Sequence, residues 1–403
     1  MTAPKAGGDA AIGQHRLVPS EQTLERLRPH LACMGITRIA NVTGLDRIGI
    51  PVVTVVRPNA RSLAVSQGKG MTVAAAKVSA IMEAAELFHA ETIGGPLWWM
   101  RPDELIGERP FLDPLDLPRS ATASAHDGPI AWIDAVDLRY GGSMLVPFAA
   151  VSADYTRGTD VLSAGICMTT SGLGAGNDRA EAMLQGLTEL VERDAVTLWR
   201  LGDRQRRLET ALDPAVLMGT HAGNLLAQLK CAGLRVGLWD ATSDIDLPVI
   251  VCLVVGRDPG DADPEFGAGC HPRAEIAALR AILEALQARL TFIAGSRDDM
   301  GGELYEAGAR ARRYREAERW LQEPDAGHGP ATGCDGSAAG AAGDLELALA
   351  AVSAAGVRSV AAVDLTRPEI GVPIFRVVAA GLEGPSDAPD YVPGHRARRA
   401  GAQ

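Results

Sequence analysis

The chain has six cysteines in 403 residues, none of them spaced as CxxC, and its eight histidines never form HExxH. The spacings expected of a structural or proteolytic zinc site are therefore missing, and the scattered thiols fit a reducing compartment. Basic charge is also short: 39 Lys and Arg stand against 50 Asp and Glu, a formal net charge of −11. That balance argues against a general nucleic-acid or anionic-membrane surface. No stretch approaches the roughly 18 to 20 uninterrupted apolar residues of a membrane span, and the N-terminus "MTAPKAGGDAAIGQHRL" lacks a charged-then-apolar signal pattern. A cytoplasmic protein with neither nucleic acid nor membrane as partner is expected. The phosphate loop GxxxxGK[ST] is not matched, "GLGAG" is not a Rossmann fingerprint, and no short-period repeat is visible.

What is present is enough apolar residue, 47%, for one substantial core. Residues 1–18 are Gly/Ala-rich and expected to be disordered. Residues 19–60 read as an N-terminal α/β segment, with a capped helix over 20–36 and a hairpin over 38–58. The remainder, 61–395, reads as the main domain, with β-rich runs at 129–138, 143–153, 234–242, 247–255, 357–365 and 372–381. A Gly/Ala-rich stretch at 326–344 reads as a mobile loop. Helices and strands are interspersed, so a single α/β (α+β) domain with antiparallel or mixed sheets is expected.

Three predicted helices carry polar acceptors three, four or seven residues apart: Ser79, Glu83 and Glu86; Gln185, Glu189 and Glu192; Glu284 and Gln287. At about 100° per residue these spacings keep each set on one face. Each set follows a core position by one residue, so the acceptors lie beside the buried stripe and not opposite it. For any one helix a solvated face explains this. Such faces usually carry bases at i,i+4, however, and Glu83 and Glu86 have none. Converging carboxylates without matching bases call for a cation, and oxygen ligands without Cys or His point to Mg2+ with phosphate or water completing its shell.

Two glycine-rich stretches lead into these helices. "SQGKGMTVAAAK" runs Gly68, Lys69 and Gly70 into Thr72, and "SGLGAGNDRAEA" runs Gly172, Gly174 and Gly176 into Asn177 and Asp178. Each alone reads as a tight turn. Joined to an acidic helix, each also suits a polyphosphate, through free N–H groups at a helix start.

In combination the residues resemble the YcaO family of ATP-dependent enzymes that activate peptide backbone amides. The resemblance rests on "GKG" with SxxxExxE (Gly68 to Glu86), NxxxExxxQxxxExxERD (Asn177 to Asp194), ExxQxR with "SRDD" (Glu284 to Asp299), and "VDLTRPEIGVPIFRVV" and "GLEGP" near the end. It covers roughly residues 35–395 and implies a YcaO-type fold, with ATP and Mg2+ as cofactors held between acidic helices.

Carried over by position, the resemblance implies a nucleotide and Mg2+ site of Ser79, Glu83, Glu86, Asn177, Glu181, Gln185, Glu189, Glu192 and Arg193. The glutamates Glu83, Glu86, Glu181, Glu189 and Glu192 would be metal ligands. Arg193 would contact phosphate, with Glu189, Glu192 and Arg193 nearest the chemistry. Lys69 and Arg297 are further phosphate contacts, and Glu284 and Gln287 a third wall. One departure is Leu87, where the family often has Arg after the second glutamate.

The implied chemistry is O-phosphorylation of a peptide amide, giving a thioamide with an external sulfur donor, or an azoline when a substrate Cys, Ser or Thr attacks. Azoline enzymes commonly end in PxPxP, whereas this chain reads "DAPDYVPGHRARRAGAQ". Its "GLEGP…YVPGHRA" looks like YcaO proteins acting with a TfuA-type partner, for which thioamidation is the implied reaction. An accessory ATP-binding role in a sulfur-transfer complex is the third reading, and a homodimer is a family-based expectation. Cys167, beside "TTSGLGAG", reads as a buried thiol or as a sulfur carrier.

Overall fold

A computed structural model of the chain describes residues 16–121, 128–156, 165–258, 263–297, 299–321, 340–387 and 391–401. The chain opens with α1 (Ser20–Leu27), followed by β1 (Arg38–Asn41), β2 (Val52–Val56), β3 (Val65–Lys69) and α2 (Val73–Glu91). Next come β4 (Trp98–Met100), α3 (Pro102–Leu105), β5 (Ile130–Asp137), β6 (Ser143–Pro147), β7 (Leu173–Ala175) and α4 (Arg179–Leu201). Then follow α5 (Arg204–Glu209), α6 (His221–Cys231), β8 (Leu234–Asp240), β9 (Val249–Gly256), β10 (Glu265–Cys270) and α7 (Ala274–Ala294). The last elements are α8 (Ala307–Leu321), α9 (Ala341–Ala354), β11 (Val360–Asp364), β12 (Ile374–Ala379) and α10 (His395–Gly401).

The strands form three sheets, ordered β1-β2-β3, β10-β9-β8 and β4-β5-β11-β12-β7, with β6 added against β5. Their pairings are antiparallel. The expected hairpin is present as β1 and β2, in the register Arg38↔Val56. The mixed α/β class with antiparallel sheets is thus as expected. Residues 1–15 and 326–339, expected to be disordered and mobile respectively, lie outside the described residues. Residues 16–18 are described and reach the central cleft, while Ala341–Asp344 open α9 with Asp344 buried.

The glycine-rich stretches are turns only in part: Gly172 sits in a turn at φ 91° and Gly70 and Gly176 in the connections to the helices, but the other glycines are in strands. Gly68 lies in β3, Gly174 in β7, and a third glycine pair, Gly267 and Gly269, lies in β10. Each strand is followed by one of the acidic helices, capped at Thr72, Asp178 and Arg273. A Cβ on Gly68 would fall 2.3 Å from the Ala76 carbonyl oxygen and 2.1 Å from the Ala80 nitrogen. On Gly174 it would fall 2.0 Å from the Ala182 oxygen and 2.8 Å from the Gly186 nitrogen; on Gly269, 2.2 Å from the Ala277 oxygen and 2.7 Å from the Ala281 nitrogen. In every case the glycine precedes the cap by four residues and meets the helix four and eight residues after it.

The fold therefore contains one strand–glycine–helix unit three times, with helix backbone seated directly on strand backbone. Small residues complete the contact: Ala76, Ala80 and Ala84, and Ala277 and Ala281, are buried. The larger apolar stripes, Ile81 with Ala85, Leu187 with Val191, and Leu279 with Leu283, anchor the helices in the cores.

Gly174→Ala forces the Cβ against backbone that cannot move aside, so a destabilisation of about 3 kcal/mol is expected. Gly44→Ala, with nothing within 4 Å of its Cβ, should leave the thermal midpoint close to wild type; equal melting of the two variants would refute the close approach.

Candidate functional site

The three acidic helices converge on one cleft of about 740 Å³. Every residue of the candidate nucleotide and metal set lines it: Lys69, Ser79, Glu83, Glu86, Asn177, Glu181, Gln185, Glu189, Glu192, Arg193, Glu284, Gln287 and Arg297. The repeated unit explains this convergence. Counted from each cap, residues 7, 11 and 14 are Ser79, Glu83 and Glu86 on α2, Gln185, Glu189 and Glu192 on α4, and Arg280, Glu284 and Gln287 on α7. Arg280 also lines the cleft. It was missed because a chemically different residue fills its place in each unit; the shared register after the cap is the signal that finds it. The next position holds Leu87, Arg193 and Ala288, so of these three only Arg193 is charged.

Backbone amides of the glycine strands fix the carboxylates. Glu83 accepts from the Gln67 N–H at 3.4 Å, Glu189 from the Gly172 N–H at 3.0 Å, and Glu86 reaches across to the Ala175 N–H at 2.7 Å. The Ala268 N–H does the same for Glu284, which is also paired with Lys69 at 2.9 Å. The strand must approach closely for an N–H to reach a carboxylate three turns along the helix, which is the second use of the glycines.

The electrostatics are dominated by unneutralised acid. Burial, with Glu189 adding repulsion, raises Glu83 to about 7 despite the Gln67 N–H, Lys69 and Arg297. Burial together with Glu189 and Glu83 pushes Glu86 well above the usual carboxylate range. Glu192 is raised by burial and by Glu284, with Arg193 opposing. Burial would also raise Glu284, but Lys69 and Arg193 overcome it and hold this carboxyl low. Arg193 lies 3.6 Å from Glu189, four residues before it, and 3.9 Å from Glu192; these carboxylates outweigh its burial and raise its pKa.

Other members of the set are already engaged. Both Asn177 nitrogens donate to Glu181, the backbone at 2.8 Å and Nδ2 at 3.0 Å, and the Leu17 N–H donates to its other oxygen. Arg297 is paired with Asp299. Burial and the charge of Arg280 hold His271 down to about 2, so it is neutral; Arg280 itself is lowered to about 10, chiefly by burial. Cys167 does not line the cleft, and no disulfide links the described cysteines.

Two observations test whether Mg2+ and a nucleotide fit. The donors are oxygens, and three of the carboxyls, Glu83, Glu86 and Glu192, are raised by burial with repulsion from neighbouring acids added, which suits a hard cation. Among the described residues no three Asp, Glu, His or Cys side chains are grouped to hold an ion by themselves, so the shell needs oxygens from a ligand, as Mg2+ commonly takes from phosphates. Gln67, 3% exposed and facing the cleft, has a side-chain nitrogen with no acceptor, as a ligand-binding donor would in an unliganded chain.

The raised acids also determine a pH dependence. Between about pH 4.5 and 7 the folded chain holds protons on Glu83 that the unfolded chain has released, so stability falls as pH rises through that window. The thermal midpoint of the ligand-free chain should therefore drop from pH 5.5 to pH 8. Glu83→Gln should reduce the drop and Mg2+ with nucleotide should offset it; an unchanged slope in the variant would contradict this account.

A family model described as YcaO cyclodehydratase, ATP- and Mg2+-binding, matches residues 67–383. An uncharacterised protein in the tfuA 3′ region of Rhizobium leguminosarum bv. trifolii is 35% identical over 375 residues, 91% of this chain and 88% of that protein. An uncharacterised protein of Methanothermobacter thermautotrophicus is 36% identical over 389 residues, 94% and 97% of the two chains. Among solved structures, YcaO from Methanopyrus kandleri bound with AMPPCP and Mg2+ superposes with a TM-score of 0.69 at 26% identity, over 92% of this chain and 93% of that one. A heterocyclase in complex with substrate and cofactor gives a TM-score of 0.75 at 21% identity, over 92% of this chain and 53% of that one, a likeness of fold. Together with the cleft, these matches establish that the chain belongs to the YcaO family, with ATP and Mg2+ as its cofactors.

Proposed function

We propose that this YcaO protein activates a peptide backbone amide by ATP-dependent O-phosphorylation and, with a sulfur donor and a TfuA-type partner, converts it to a thioamide. The observation that carries the first half is the convergence of three carboxylate-bearing helices on one cleft with a surplus of buried negative charge. The second half is supported by the 35% identity to a protein in a tfuA 3′ region. Residues 391–401 lie against α4, where Arg396 donates to Asp194 at 2.9 and 3.0 Å and Tyr391 to Glu383 at 2.8 Å.

An amide oxygen is a poor leaving group. When sulfide adds to the carbonyl carbon, the oxygen becomes an alkoxide that takes the γ-phosphoryl group of ATP. ADP departs, and phosphate then leaves as the C=S bond forms, with loss of the sulfur proton. Bound Mg2+ would supply charge neutralisation on the phosphates. Glu83, Glu86, Glu189 and Glu192 would offer ligands to it together with phosphate oxygens, since no three of them are grouped around one point; Glu181 also accepts the Leu17 N–H. The residues of the chain itself position and neutralise: Arg193 and Lys69 offer cations, Arg297 a further one on leaving Asp299, and Asn177, Ser79, Gln185 and Gln287 offer hydrogen bonds. This is preorganised electrostatic stabilisation, with no covalent protein intermediate.

Glu189→Gln keeps the shape of the side chain and removes its charge. Its ATP turnover should fall by about 10²-fold; full activity would exclude Glu189 from the site. Incubating a candidate precursor peptide with this chain, its partner, Mg·ATP and sulfide should add about 16 Da as oxygen is replaced by sulfur. A loss of about 18 Da would assign azoline formation instead, since water then leaves by the same phosphate chemistry. ATP consumption without any mass change in the peptide would favour the accessory role.

A further inference from the structure

The cleft has one wall that belongs to none of the repeated units. Residues 16–19 lead into α1 through a bend at Leu17 and Val18, with Pro19 at φ −56° and ψ 147°. Arg16, Val18 and Ser20 line the cleft, while Leu17 points outward and is 63% exposed. Two contacts from this strap, and a third from α1, reach the start of α4. The Leu17 N–H donates to Glu181, the Arg16 guanidinium stands 4.0 Å from the other Glu181 oxygen, and the Thr23 hydroxyl donates to the Asn177 side-chain oxygen at 2.8 Å.

These contacts fall on two residues of the nucleotide and metal set, and Arg16 brings the kind of charge that the cleft lacks. Its positive charge also reaches Glu86, which it helps to hold down. The attachment is nevertheless weak. Arg16 makes one long contact and is about a third exposed, and its charge is opposed by that of Arg280 across the cleft. A partly exposed pair of this kind contributes little, whereas a divalent ion with phosphates in the same space gains far more.

We propose that residues 16–18 form a displaceable strap in which Arg16 stands in for the metal at Glu181, and that binding of Mg·ATP ejects it. The inference rests on the reading of the cleft as the Mg·ATP site. ATP then competes with a tethered cation, and nucleotide binding frees residues 16–18 from the cleft. The rest of the chain stays in place.

The test is titration of the full-length wild type, Arg16→Gln and Arg16→Lys with AMPPCP in the presence of Mg2+, together with trypsin cleavage at the Arg16–Leu17 bond of the wild type. If Arg16 competes, Arg16→Gln binds about two- to fivefold more tightly, the factor that a partly exposed ion pair can supply. Arg16→Lys, which keeps the charge, stays near wild type, and nucleotide accelerates the cleavage. Equal or weaker binding by Arg16→Gln, or protection of the bond by nucleotide, would overturn the strap: the first would show that Arg16 does not compete, the second that the segment closes over the ligand. Absence of saturable binding in the wild type would instead remove the Mg·ATP site itself, and the strap with it, before any variant is compared.

Discussion

A half-buried space that gathers Glu83, Glu86, Glu189, Glu192 and Glu284 around Lys69 and Arg193 cannot keep all its acids ionised. That excess of charge organises the rest of the site. Backbone N–H groups from β3, the approach to β7, and β10 are turned to the carboxylates as partial compensation. The bases present are drawn into pairs, and a guanidinium from outside the repeated units is drawn toward Glu181. An arrangement that requires a cation from solution also explains how a nucleotide can be held without a phosphate loop. On the proposed reading the attraction would come from metal held by carboxylates, while the glycines of the strands seat helix backbone on strand backbone.

How much of this was legible in the sequence depended on which periodicity carried it. The acceptor rows on α2, α4 and α7 were readable because helical spacing survives any choice of neighbours, and all of them reach the cleft. The strands β3, β7 and β10 were not, since glycine weakens the β signal and "GKG" and "GLGAG" look like turns when the partner helix is out of view. The three-fold repeat was hidden for a related reason: a strand and helix of a dozen and more residues, separated by long and unrelated insertions, leave only a glycine, a cap and three polar positions in common. Arg280 stood in that register but carries a positive charge where the other two units have the neutral Ser79 and Gln185. Arg16 could not be found at all, because a short bent approach segment carries no helix or strand period, and its place depends on where Glu181 lies in space.

The segment after Gly384 shows how the acidic helix α4 is held on its far side. Asp194, fully buried, takes two hydrogen bonds from Arg396 and one from the Glu383 N–H at 2.8 Å, and Glu383 in turn receives Tyr391 and the Gly394 and Ala397 amides. Burial raises Asp194 to about 6, with Arg396 opposing. Arg193 is its neighbour in sequence and faces the cleft, so α4 is clamped by charge on both faces. A buried pair of this kind contributes little net stability but penalises alternative arrangements, which suits an element whose orientation sets the position of Arg193.

The glycine contacts carry a mechanical consequence. Where helix backbone rests on strand backbone there is no layer of side chains to act as a bearing, and such an interface can neither roll nor slide by rotamer changes. Each row of donors is thus mounted on its sheet like teeth on a plate. Any widening or narrowing of the cleft has to come from one plate shifting against another, along seams packed by larger apolar groups that can shear, with the spacing inside each row unchanged throughout the stroke.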